Sequence, residues 1–207
     1  MPTASSMFGE RFTHRLEAFS DLVFGFSLSL LATRLDMPGD VSDVFNPTRW
    51  GTFTITFAII CAIWLAHYRI FRHQFVAEIA DVIINFIFLL GIAVMPYSVQ
   101  TFLRFTTSRD AIILYFGDFA LIFAALATLR WRALRQRRGD SEPELRLREW
   151  RGTVRQYTIV VFIVGCLVGM TLGVIPKERF YSTVPAVFVV VTVLTRVAVR
   201  RLPRFLQ

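Results

Sequence analysis

Charged side chains in this chain are gathered into short blocks. Between the blocks run apolar stretches of about 18 to 22 residues, the length a helix needs to cross ~30 Å of hydrocarbon at ~1.5 Å per residue. Lipid offers no partner to a backbone amide, so a stretch of this kind crosses it as a helix, which satisfies its own hydrogen bonds. Six such stretches are expected, at 18–35, 50–68, 82–103, 111–129, 157–175 and 181–199. They predict an all-α membrane protein, a single domain over residues 1–207 with six transmembrane helices and the first one central. Composition agrees: 55% of the residues are hydrophobic and 21 are phenylalanine, more apolar matter than one soluble core of this size readily hides.

Six crossings return the chain to its starting side, and the basic residues say which side that is. Arg11 and Arg15 precede the first span, Arg69 and Arg72 follow the second, nine arginines lie between Arg130 and Arg155, and four lie between Arg196 and Arg204. The other side carries only Arg34, Arg49, Arg104, Arg109, Lys177 and Arg179, and its first loop is acidic through Asp36, Asp40 and Asp43. Positively charged loops stay inside, so both termini and the 130–155 loop are expected on the cytoplasmic face of the cell membrane. The same placement argues against nucleic acid as a partner despite a net charge of +8, because the arginines flank spans and form no solvated basic domain. The first apolar stretch follows a polar segment and has no small-residue cleavage site behind it, so it is expected to remain in the protein. Cys61 and Cys166 fall inside apolar spans, where a thiol behaves as a small hydrophobe. No cofactor, metal cluster or disulfide framework is implied.

The 130–155 segment, broken by Gly139 and Pro143, reads as a solvated loop that fixes topology, or as an element that binds anionic headgroups. The first span is the most polar: Arg15, Glu17, Ser20, Asp21, Ser27, Ser29 and Thr33 lie on or beside it. Such residues at membrane depth face protein or water and not lipid, which makes this helix central. At about 100° per residue, Leu22, Phe26, Ser29, Leu30 and Thr33 share one stripe, while Ser20, Phe24 and Ser27 point away. Asp118, in the middle of the fourth span, reads either as a proton or cation relay or as a carboxylate neutralised within the bundle. Gly165, Gly169 and Gly173 recur every four residues and mark a close helix contact, within or between subunits.

Three polar patterns carry a resemblance. Arg15-Leu16-Glu17-Ala18-Phe19-Ser20-Asp21 matches the Arg-x-x-x-Phe-Ser-Asp signature that opens the first helix of the transmembrane protein 175 family, potassium channels of endosomes and lysosomes with bacterial and archaeal relatives. The second span ends in Trp64-Leu65-Ala66-His67, similar to that family's Trp-x-x-His, and the third carries an Asn and a Pro as Asn85 and Pro96. The resemblance implies a homotetrameric cation channel lined by the first helix, with potassium as permeant ion and no re-entrant filter loop. It also implies constrictions at Phe26, at Ser29 or Leu30, and at Thr33. Phe26 and Thr33 stand where the family usually has Ile or Leu. The sequence contains no TVGYG-like run of filter carbonyls, so selectivity falls to side chains.

Arg15, Phe19, Ser20, Asp21, Trp64, His67 and Asn85 form the signature set. Its polar members are expected in a buried network between helices that acts as structural glue. A secondary transporter that couples protons through Asp118 is the alternative function, although no inverted repeat is visible. An enzyme is not expected: no nucleophile sits at useful spacing from a base, and there is no HExxH-like motif.

Overall fold

A computed structural model describes residues 4–33, 40–41, 44–71, 77–136, 143–175, 190–191 and 193–197. The described chain is helical: α1 Ala4–Thr33, α2 Pro47–Phe71, α3 Ile79–Arg104, α4 Arg109–Gln136 and α5 Pro143–Thr171. Each is long and apolar enough to cross a membrane. The sixth span expected at 181–199 lies mostly outside the described residues, and those of it that are described, 190–191 and 193–197, are helical.

The helix ends follow from local chemistry. Asn46 caps α2, its Oδ1 accepting from the amides of Thr48 at 3.1 Å and Arg49 at 3.3 Å, while Pro47 occupies the first helical position, where its missing N–H costs nothing. Asp81 Oδ2 accepts from the Glu78 amide at 3.0 Å and closes the start of α3 as in a capping box. At the end of α5, Gly173 adopts φ 72°. The amide of Gly173 bonds the Met170 carbonyl and that of Val174 bonds the Gly169 carbonyl, the paired closure of a Schellman motif.

Two compact units divide the chain, Met1–Gln100 and Thr101–Gln207. In the first, α1 packs along α2 and buries Leu16, Ser20, Phe24, Ser27 and Leu31, a stripe at spacings of three and four. Phe24 meets the rings of His67 on α2 and Phe88 on α3, with centroids 5.9 and 5.8 Å apart. Ile60, Ile63, Ile92 and Met95 are buried as well.

In the second unit α4 packs on α5, and the pairing runs antiparallel. Arg109 donates to the Thr171 carbonyl at one end and Thr128 bonds Tyr157 nearer the other. Ile112 and Met170 form a small buried core, with Phe102, Phe116, Leu167 and Ile175 against it.

The 130–155 segment differs from the expected loop. Helix α4 continues through Gln136 and α5 begins at Pro143, so the arginines described there lie on helix ends. Ala, Leu, Arg and Gln are all strong helix formers, and they carry α4 past the end of its apolar stretch. Pro143 suits the first turn of the next helix. Arg130 pairs with Glu149 across the two helices at 3.4 Å, and its guanidinium lies where a Cβ on Gly152 would meet it at 2.8 Å.

Within the single chain the glycine series has three different surroundings. Gly165 has open space around it, and Gly173 is the left-handed residue that stops α5. Gly169 faces the side chain of Ile175, which folds back over it after that stop. Among the described residues the series joins no pair of helices, because its last two members are used in ending their own helix.

Candidate functional site

The signature residues sort into two sets. The buried set is a chain of hydrogen bonds through three helices, each donor matched to an acceptor. His67 Nε2 lies 2.8 Å from Asn85 Oδ1, and because an amide oxygen only accepts, that nitrogen carries the proton. Asn85 Nδ2 donates to Ser20 Oγ at 3.0 Å, and Ser20 Oγ donates to the Leu16 carbonyl at 2.8 Å. All three side chains are buried. The His67 ring stacks parallel on Phe88 at 4.9 Å and tilts against Phe71 at 4.7 Å. An imidazole with aromatic neighbours and a satisfied Nε2 locks α1, α2 and α3 in register.

The second set is exposed. Trp64 Nε1 donates to Asp21 Oδ1 at 2.8 Å, which ties α2 to α1 outside the core. Arg15 and Asp21 were expected to be buried, and both are exposed in the single chain. Each sits one residue from the buried stripe, beside Leu16 and Ser20, and one residue turns a side chain by about 100°. Phe19 is exposed too and meets Phe86 edge-on at 6.0 Å.

Opposite the buried stripe, α1 presents Leu22 at 72% exposure and Phe26 at 62%, with Ser29 and Thr33 also exposed and Leu30 half-buried. Ser29 Oγ donates to the Gly25 carbonyl at 2.9 Å and Thr33 Oγ1 to the Leu30 carbonyl at 2.9 Å. With their protons turned back into the helix, both hydroxyl oxygens keep lone pairs free to accept. This face therefore alternates large apolar groups with oxygen ligands suited to a cation. Asp118 is buried on α4.

Sequence reasoning missed two links in the first unit. Thr13 Oγ1 accepts from the Ala77 amide at 2.9 Å and ties α1 to the entry of α3. Ser27 Oγ donates to the Ile92 carbonyl at 2.8 Å. Ser27 lies seven residues after Ser20 on the same face, and that spacing was the available signal.

Long apolar helices, with a polar chain buried between three of them, define a multi-pass helical membrane protein. Residues 15–96 match the model of a family described as the endosomal/lysosomal potassium channel TMEM175. A potassium channel of Marivirga tractuosa is 29% identical over 109 residues, which cover 52% of this chain and 42% of that protein. A potassium channel of Streptomyces collinus is 24% identical over 128 residues, covering 58% of this chain and 61% of that one. The matched stretches thus span less than two thirds of either relative. The fold is similar to the crystal structure of a variant of the potassium channel MtTMEM175 bound to a nanobody–MBP fusion, with a TM-score of 0.66, 19% identity and 92% of each chain covered. Residues 15–96, which hold all three signature patterns, are thus similar to the TMEM175 family over about two fifths of the chain.

Proposed function

We propose that the chain is one subunit of a potassium-permeable channel, a homotetramer in the cell membrane with both termini cytoplasmic. Four copies of α1 surround the pore, and selectivity rests on side chains without a filter loop. The observation that carries this reading is the division of α1 into two faces. Its polar residues Ser20 and Ser27 are buried against α2 and α3, while Leu22 and Phe26 stand exposed on the opposite side. Fourfold symmetry would close that side into a ring. Phe26 then forms an apolar constriction that raises the cost of hydrating the passage, and the oxygens of Ser29 and Thr33 stand on the same face. That curated relatives are potassium channels supports the choice of ion. The basic helix ends support the orientation.

Purified protein reconstituted in liposomes under a potassium gradient tests the reading. Passive potassium flux is expected with no proton gradient present. Flux that requires a proton gradient would contradict a channel and favour a transporter using Asp118.

A further inference from the structure

A helix interior gives each backbone carbonyl a donor four residues later, and at Pro96 inside α3 that donor does not exist. The carbonyl left without its donor belongs to Ile92, a fully buried residue, where an unmatched carbonyl is costly. Ser27 Oγ, also fully buried, reaches across from α1 and donates to that same carbonyl at 2.8 Å. Its choice of acceptor differs from that of other hydroxyls among the described residues. Ser20, Ser29, Thr128 and Thr158 all turn their hydroxyls back to the carbonyl four residues earlier in their own helix, the default for a hydroxyl in a helix.

We propose that Ser27 is a positioning residue: by supplying the proton that Pro96 lacks, it ties α1 to α3 and fixes the rotation of α1 that aims Phe26 at the pore. This rests on the reading of α1 as the pore helix. Phe26 adjoins Ser27 and points about 100° away around the helix axis. A bond that pins Ser27 to α3 therefore also sets the direction of Phe26. The Thr13, Ser20 and Asp21 bonds all pin the helix at or before the level of Asp21, so the Ser27 bond, about two turns later, is the tie at the level of Phe26.

The test uses the full chain in liposomes as wild type, Ser27→Ala, Ser27→Thr, Pro96→Ala and the Ser27→Ala/Pro96→Ala double variant. The readouts are the ratio of potassium to sodium flux and the thermal unfolding midpoint in detergent. Ser27→Ala is expected to lower the flux ratio several-fold, and Ser27→Thr, which keeps the hydroxyl, to retain it. With Pro96→Ala the restored amide serves Ile92, so removing the Ser27 hydroxyl then changes the ratio little. An unchanged ratio in Ser27→Ala, or an equal loss with and without Pro96, would overturn the proposal. A lower midpoint at an unchanged ratio would do the same, since Ser27 would then only stabilise. If Ser27→Ala yields no folded protein, Ser27→Cys keeps a weaker donor: a partial fall in the ratio supports the proposal and a wild-type ratio overturns it. A wild type that passes no potassium defeats the channel reading instead. The tie between helices is then decided by the midpoints, where non-additive losses support it and additive ones overturn it.

Discussion

Phe24 and Phe26 are two residues apart on one helix, and the protein treats them oppositely. Phe24 is 3% exposed, between His67 and Phe88, whereas Phe26 is 62% exposed on the other side of α1. Phe24→Ala is a core truncation, expected to cost about 3–5 kcal/mol of stability and read as a lower unfolding midpoint in detergent. Phe26→Ala removes little packing from the protomer. On the proposed tetrameric pore it is expected to raise potassium flux in liposomes and weaken discrimination against sodium, because a ring of smaller side chains leaves room for water. Flux changes of the same size at both positions would contradict this division. Asn85 both donates and accepts within the buried chain. Asn85→Ala therefore leaves His67 without its acceptor and is expected to cost about 1–3 kcal/mol. An unfolding midpoint equal to wild type would remove the chain from the stabilising interactions. The buried and exposed faces of α1 were legible from its 3.6-residue period. The exposure of Arg15 and Asp21 was not, since the cost of charge in lipid argues for burial and says nothing of a face turned away from its own subunit.

At the scale of elements, the apolar stretches marked the crossings well. They did not mark where the helices stop, because hydropathy reports the width of the bilayer and a helix ends where its capping chemistry says. Pro47, Asp81, Pro143 and Gly173 supply that chemistry. Expecting a loop at 130–155 took Gly139 and Pro143 as breaks in a solvated segment, although Pro143 suits the first turn of a helix and arginine favours helix. The glycine series was read as a groove for packing, while Gly173 is required by its positive φ. Gly173→Ala forces a Cβ into the left-handed region and is expected to cost about 1 kcal/mol. Gly165→Ala, with open space around it, is expected to leave the unfolding midpoint unchanged. A loss at Gly165 as large as that at Gly173 would contradict this and put Gly165 in contact with another chain.

At the scale of the whole chain, the proposed topology rests on the uneven distribution of basic residues among the segments that flank the apolar stretches. Single cysteines at 36–49 and at 130–155, labelled with a membrane-impermeant thiol reagent on intact cells, are expected to react only in the first segment. The reverse pattern would invert the orientation. The central claim is that the exposed face of α1 lines a potassium path, and the most direct measurement is cysteine block of flux. In liposomes, a water-soluble thiol reagent is expected to reduce potassium flux through Phe26→Cys and to leave Ser20→Cys unaffected. Block at position 20 with none at 26 would contradict the claim, because the helix would then turn its other face to the ions.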